Sequence, residues 1–214
     1  IMGGECGAIG GLNDGSIGQR SSPIQMAVGT NWTEPVLSWS YQQSFHAIND
    51  SNELWFFGQN RYGNSGVDSL THSKMYSSPI QVPGSYTWVG GDHNSSVLAT
   101  KSDGTSWRWG RNYSGTLGLN DNTERSSPTQ VHWGGTGWQD SGQCGYHSIS
   151  LDNNRIYVSG ANLMGQLGLN SRTYHNVPVQ VGSNNDWTMC SMGYNGCWAS
   201  RNNGADLFTW ELTI

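Results

Sequence analysis

The residue types that could do chemistry are present in this chain, but scattered. Six histidines stand at positions 46, 72, 93, 132, 147 and 175, with no i, i+2 or i, i+4 pair among them. Such a pair is what places two imidazoles on one side of a strand or helix for a metal ion. The carboxylates fall mostly in turn-like sequences, as at Asp14, Asp103, Asp121 and Asp152. There an Asp side chain serves its own backbone; hydrolysis of a glycosidic bond needs two acids facing each other instead. No Ser-His-Asp or Cys-His elbow is found. The four cysteines, Cys6, Cys144, Cys190 and Cys197, occupy different places along the chain's internal repeat, whereas a disulfide framework or zinc site needs a matched pattern. They read as free thiols, with Cys190 and Cys197 able to pair if neighbouring strands bring them together. Recurrent Gly-x-x-Gly runs resemble phosphate loops, yet each leads toward a proline rather than into a helix, and a phosphate cradle needs the helix N-terminus behind it. The expectation is a chain that is not an enzyme and needs no metal and no cofactor.

What must position these residues is a repeat. The order Gly-x-x-Gly, then Pro-x-Gln, then Trp occurs four times, at Gly7/Gly10, Pro23/Gln25 and Trp32; Gly63/Gly66, Pro79/Gln81 and Trp88; Gly115/Gly118, Pro128/Gln130 and Trp138; and Gly165/Gly168, Pro178/Gln180 and Trp187. The copies lie about 50 residues apart, the period of a propeller or solenoid unit that cannot bury its apolar face alone.

Within one copy the pattern is that of strands. Ser96–Thr100 leads to Ser102-Asp103-Gly104, read as a two-residue hairpin turn, since Gly takes positive φ cheaply. In Ser106-Trp107-Arg108-Trp109-Gly110 the alternation places both tryptophans on one face and Arg108 on the other. Pro128–Val131 is an outer strand, because proline is tolerated at an edge but not at a sheet centre. The next copy repeats this with Asn153-Asn154 as the turn and Ile156–Gly160 and Val177–Val181 as strands. About four strands per copy, arranged radially, are the blades of a β-propeller. The expected fold is therefore all-β, a β-propeller of four-stranded blades with about four blades, either a closed small ring or part of a larger propeller. It forms a single domain over 1–214, with repeats at roughly 1–54, 55–106, 107–156 and 157–206 and with 207–214 closing the first blade. Phe208-Thr209-Trp210-Glu211 aligns with Trp107-Arg108-Trp109-Gly110, which is what such a closure needs. The four tryptophans at 32, 88, 138 and 187 share a register and read as blade-to-blade packing, each contributing on the order of 2–3 kcal/mol.

Composition narrows the function classes. Only 12% of residues are charged and the net charge is −5, with two lysines, Lys74 and Lys101, and no basic stripe of the kind that grips nucleic acid. No apolar run approaches the roughly 20 residues that span a bilayer. The expectation is no nucleic acid and no membrane insertion. The chain opens on Ile1-Met2 without a signal-peptide pattern, which suggests processing or sequence upstream.

At Trp109-Gly110-Arg111-Asn112-x-x-Gly115-x-Leu117-Gly118, Ser127-Pro128-x-Gln130-Val131, Trp138 and Gly145-Tyr146-His147, the chain resembles the repeats of the regulator of chromosome condensation family. The match recurs at Gly160-x-Asn162-x-x-Gly165-Gln166-Leu167-Gly168 with Pro178–Val181 and Trp187, and covers essentially the whole chain. The resemblance implies a propeller, usually of seven blades, and its functions range from nucleotide exchange on a small GTPase to enzyme inhibition and secreted or phage proteins. The family's Gly-x-x-His element is met only at His147; Ser44, Ser96 and Gly196 stand at its other places.

What varies between copies carries more functional information than what repeats. Just after the entry Trp of each copy the sequence reads Trp39-Ser40-Tyr41-Gln42-Gln43, Asp92-His93-Asn94-Ser95, Gly145-Tyr146-His147 and Gly193-Tyr194-Asn195. In a ring these segments converge on one face, and such residues make adaptable contacts. Partner-binding residues are accordingly expected at Trp39, Tyr41, His93, Tyr146, His147, Tyr194 and Asn195. The expected function is a non-catalytic protein-binding or structural module, in a secreted or virion surface assembly. Its alternatives are a lectin-like propeller binding glycan through Trp39 and, by family analogy, a guanine-nucleotide exchange factor. Self-association is expected if the ring is incomplete, because open sheet edges pair.

Overall fold

The computed structural model describes residues 30–36, 44–67, 74–84, 87–93, 95–132, 138–143, 146–193 and 196–211. Fifteen strands run in chain order: β1 (Trp32–Val36), β2 (Ser44–Asn49), β3 (Leu54–Asn60), β4 (Lys74–Gln81), β5 (Trp88–His93), β6 (Ser96–Lys101), β7 (Ser106–Gly110), β8 (Arg125–Gln130), β9 (Trp138–Gln143), β10 (His147–Asp152), β11 (Arg155–Gly160), β12 (His175–Gln180), β13 (Trp187–Met192), β14 (Gly196–Arg201) and β15 (Asp206–Glu211). They form four antiparallel sheets, β1-β2-β3-β4, β5-β6-β7-β8, β9-β10-β11-β12 and β13-β14-β15. Each is a propeller blade, entered by its inner strand. No described helix is long and apolar enough to cross a membrane.

The repeat markers explain this geometry. Pairing shifts by one residue directly after Trp32, Trp88, Trp138 and Trp187, giving a bulge at the same place in every blade. A bulge adds twist and re-aims the neighbouring side chain. Trp88 and Trp187 are buried, and their backbone amides donate to Asn52 O and Asn154 O in the hairpin of the preceding blade, each at 3.1 Å. In the three described copies the second glycine of Gly-x-x-Gly abuts the following blade. A methyl group at Gly66 would lie 2.8 Å from Trp109 Nε1, at Gly118 2.9 Å from the Pro178 ring, and at Gly168 2.8 Å from Trp210 Nε1. The motif is a close-packing device between blades. The Pro-x-Gln segments are the outer strands β4, β8 and β12, where a missing amide costs no ladder bond.

Among the described residues the apolar core is two clusters, each astride a blade interface. Ile48, Leu54, Phe56 and Val82 of the first blade meet Trp88, Val97, Ala99 and Trp109 of the second. Ile149, Leu151, Ile156, Val158 and Leu167 of the third meet Trp187, Cys190, Cys197 and Ala199 of the fourth. Cys190 and Cys197 are therefore buried free thiols in the described structure, and the Cys197 thiol donates to Gln166 O at 3.3 Å. Between the second and third blades the described contacts include a buried polar one. The fully buried Arg108 guanidinium donates to Ser150 Oγ at 2.7 Å, Ser148 Oγ at 3.0 Å and Thr116 O at 3.3 Å.

One turn differs from its sequence reading. Asp103-Gly104 is part of a three-residue loop in which Lys101 N–H donates to Thr105 O at 3.0 Å and only Gly104 has positive φ. The Asp103 carboxylate explains it, accepting from Thr105 N–H at 2.9 Å and Thr105 Oγ1 at 2.6 Å, a side-chain turn that widens the loop. At Asn153-Asn154 both residues take positive φ, 47° and 59°, and the two-residue turn forms as expected.

Candidate functional site

The end of the blades opposite the β2–β3, β6–β7, β10–β11 and β14–β15 hairpins carries two sets of loops. One leads into the second strand of each blade. The other leaves the third strand at Gly58, Gly110 and Gly160. Cross-strand pairing places the two sets side by side, since Ser44 faces Gly58, Ser96 faces Gly110 and His147 faces Gly160. Backbone bonds from Arg111 N–H to Ser95 O at 3.0 Å and from Ala161 N–H to Tyr146 O at 2.7 Å join them.

The loop after the third strand is built on a buried asparagine. Asn112 Oδ1 accepts from Leu117 N–H at 2.9 Å while its amide donates to Asp121 O at 2.9 Å and Thr123 O at 3.1 Å. Asn162 does the same with Leu167 N–H and Ser171 O, each at 2.9 Å, and Asn60 accepts from Ser65 N–H at 3.0 Å. Behind these anchors, Gly115 and Gly165 N–H close β-turns on Asn112 O and Asn162 O, each at 3.1 Å. Each such turn holds two central residues, and of the four here all but the buried Ser114 are exposed. The central residues are Tyr113-Ser114 and Leu163-Met164, with Arg61-Tyr62 at the matching place in the first blade. Tyr113 is 72% exposed, Leu163 58% and Met164 50%, and Arg61 is exposed as well. Tyr62 differs in adopting φ +63°, an uncommon conformation for a bulky residue.

Arg111 ties the loops of three blades together. Its guanidinium lies 5.0 Å from the Tyr62 ring centre, 5.8 Å from Tyr113 and 4.9 Å from Tyr146, and Arg61 approaches Tyr62 at 5.5 Å. Each such contact contributes about 0.5–1 kcal/mol at a part-exposed site. The result is a ridge of tyrosine rings, from three blades, gathered around the Arg111 guanidinium.

Charge is segregated by end. Among the described side chains, the loop face and its rim carry Arg61, Lys74, Arg111, Arg125 and Arg172 against Asp121 and Glu124, with Arg125 bonded to Asp121 at 2.6 Å. The hairpin end carries Asp50, Glu53, Asp103, Asp152, Asp186 and Asp206 against Lys101, Arg155 and Arg201. Among the described side chains the loop face is thus basic, although the chain as a whole is acidic.

Of the residues expected from sequence to bind a partner, Tyr146 is half-buried and joins this ridge through Arg111. His147, next to it, is fully buried, so its ring serves the interior. His93 ends β5 with only its backbone described, and Trp39, Tyr41, Tyr194 and Asn195 lie outside the described residues. Sequence reasoning missed Tyr62, Arg111, Tyr113, Leu163 and Met164. The available signal was the unlike pair held inside each constant Asn-x-x-Gly frame.

Burial pushes the His147 imidazole down to about 4, from an ordinary value of 6.5. The unfolded chain keeps the ordinary value and so binds more protons between these limits. The contribution is complete above pH 6.5 and lost as pH falls to 4, about 3 kcal/mol in all. Urea unfolding between pH 7 and 4 should show that loss in the wild type and a correspondingly shallower one in His147→Gln.

The family model described as Regulator of chromosome condensation (RCC1) repeat matches residues 153–199, from the β10–β11 turn through most of β14. The repeat is of the regulator of chromosome condensation type. The chain is 28% identical to the ultraviolet-B receptor UVR8 of Arabidopsis thaliana over 173 residues, 77% of this chain and 38% of the receptor. Among solved structures, human WBSCR16 superposes with a TM-score of 0.72 at 18% identity, covering 89% of this chain and 50% of that one. Prp20p of Saccharomyces cerevisiae gives 0.64 at 20% identity, covering 79% and 42%. The chain thus spans half or less of the length of these proteins.

Proposed function

We propose that this chain is a non-catalytic, protein-binding propeller module whose loop face docks a segment of a partner protein carrying carboxylates beside apolar side chains. The observation that carries this reading is the exposure of Tyr113, Leu163 and Met164 at equivalent turn positions of adjacent blades, next to Arg61 and Arg111. Aromatic and arginine side chains are what interface hot spots favour, and a basic face selects an acidic partner and speeds its encounter. Protein partners also suit the fold, since yeast Prp20p has binding properties toward Gsp1p and histones. Low lysine content and Asn-, Ser- and Gly-rich loops suit a secreted or virion surface setting.

A fluorescent peptide rich in Glu and Leu, with a Lys- and Leu-rich control, tests the reading. Tyr113→Ala and Leu163→Ala should each weaken binding of the acidic peptide by about 1 kcal/mol or more, roughly fivefold. Arg111→Gln should flatten its salt dependence, and Asp103→Asn at the far end should change nothing. Equal binding of both peptides, or indifference to all three loop-face substitutions, would contradict it.

A further inference from the structure

Arg61 and Arg111 are two cations of the loop face that no described carboxylate meets. By contrast, Arg125 is bonded to Asp121, and at the hairpin end Arg201 lies within 4.0 Å of both Asp186 and Asp206. Arg61 and Arg111 instead converge on one ring, with their guanidinium carbons 5.5 Å and 5.0 Å from the centre of Tyr62. The two like charges are therefore no further apart than those distances laid end to end. Such charges repel, and an anion bound between them would relieve the repulsion. Tyr62 itself takes φ +63°, a conformation that strains any residue with a Cβ. Strain of this kind collects at ligand clamps.

The kind of anion follows from the donors and their depth. A carboxylate fills a single guanidinium fork with its two oxygens. A phosphate monoester carries three terminal oxygens and, above its second pKa of about 6, close to two negative charges, so it can accept from two forks at once. Arginine rather than lysine stands at both positions, and only arginine offers that fork. Neither charge is set deep, since Arg61 is exposed and Arg111 and Tyr62 are half-buried. A shallow site suits a phosphate carried close to the main chain, as on phosphoserine, better than one at the far end of a tyrosine ring. Arg111 is also held ready, its main chain fixed to Ser95 O and its side chain set among three tyrosines.

We infer that Arg61 and Arg111 together bind the phosphate of a phosphoserine in the docked segment, with the Tyr62 ring as the wall they share. The inference rests on the proposed docking of an acidic and apolar segment, and it names the residue that switches that docking on. The turn position held by Arg61 in the first blade is held by Tyr113 in the second and Leu163 in the third. Both of these are exposed. The phosphate end and the apolar end of the site thus fall on successive blades, which gives the segment an orientation across the face.

Three versions of the fluorescent Glu- and Leu-rich peptide, with serine, glutamate or phosphoserine at one central position, test this. At about pH 7.5 the phosphoserine peptide should bind about tenfold tighter than the serine peptide and about threefold tighter than the glutamate one. At about pH 5 its margin over glutamate should vanish, because the phosphate then carries one charge. Arg61→Gln and Arg111→Lys should each remove most of the preference, the second by keeping the charge and losing the fork; circular dichroism checks that both variants fold. Equal binding of the phosphoserine and glutamate peptides at the higher pH, or a preference that survives both substitutions, would overturn this inference and leave acidic docking standing. Failure of all three peptides to bind would overturn both. An oligothymidylate that binds as tightly as the phosphopeptide, and is weakened by the same substitutions, would mark a site for single-stranded nucleic acid and overturn the inference as well.

Discussion

Gly160→Ala should cost about 3–5 kcal/mol of stability, while Gly165→Ala five residues on should cost only about 1–2. Both glycines have positive φ, +106° and +81°, so both substitutions carry backbone strain. They differ in what a methyl group would meet. At Gly160 it would lie 2.3 Å from Tyr146 O and 2.6 Å from His147 Cα, both backbone atoms that cannot swing aside; at Gly165 nothing lies within 4 Å. The close approach exists because Gly160 faces His147 where β10 and β11 begin and end. The same methyl would push Tyr146 off the Arg111 ridge, so Gly160→Ala should also weaken partner binding. Urea denaturation of the two variants checks the difference, and equal losses would mean that the strand ends separate freely.

The second large effect is at Arg108. Its guanidinium is fully buried, its pKa pushed down to about 10 by that burial, and it is held by the hydroxyls of Ser148 and Ser150 from the next blade. Ser148 and Ser159 hydroxyls also lie 2.8 Å apart and share Thr116 O as an acceptor, each at 3.0 Å. Arg108→Ala opens a cavity and strips the donor from these groups, and should cost about 3–5 kcal/mol. Ser150→Ala removes the 2.7 Å acceptor from a buried charge and should cost about 1.5–3 kcal/mol. Once Arg108 is Met, the same serine substitution should be nearly neutral. The cycle among Arg108→Met, Ser150→Ala and the double variant should show a coupling above about 1 kcal/mol; additivity to within roughly 0.5 would show that the bond at this interface is not felt.

Much of the fold was legible because the repeat markers are steric requirements. A glycine against the next blade, a proline on an outer edge and a tryptophan before a bulge each have few substitutes, so they recur at fixed spacing and announce the blade. Arg108 shows the limit of strand periodicity. Alternation sets it on the face opposite Trp107 and Trp109, as the structure does, but an arginine on a strand suggests solvent there. A blade is covered on both faces by its neighbours, and the residue that pairs with Arg108, a serine cluster some 40 positions away, has no local signal. The ridge proposed to dock a partner was hidden for the opposite reason. Arg61, Tyr113 and Leu163 share a position but no chemistry, so they are constrained by nothing inside the fold. Only the buried Asn and the Gly that frame them repeat. Tyr146 was found because it adjoins the second strand, whereas His147 beside it alternates inward.

Hydrogen exchange of the chain with and without the Glu- and Leu-rich peptide tests the docking face most directly. Binding on the loop face predicts slowed exchange at residues 61–63, 111–115, 146 and 163–165 and unchanged exchange in the hairpins at 102–104 and 153–154. Protection confined to the hairpin end, or spread evenly over both ends, would contradict it.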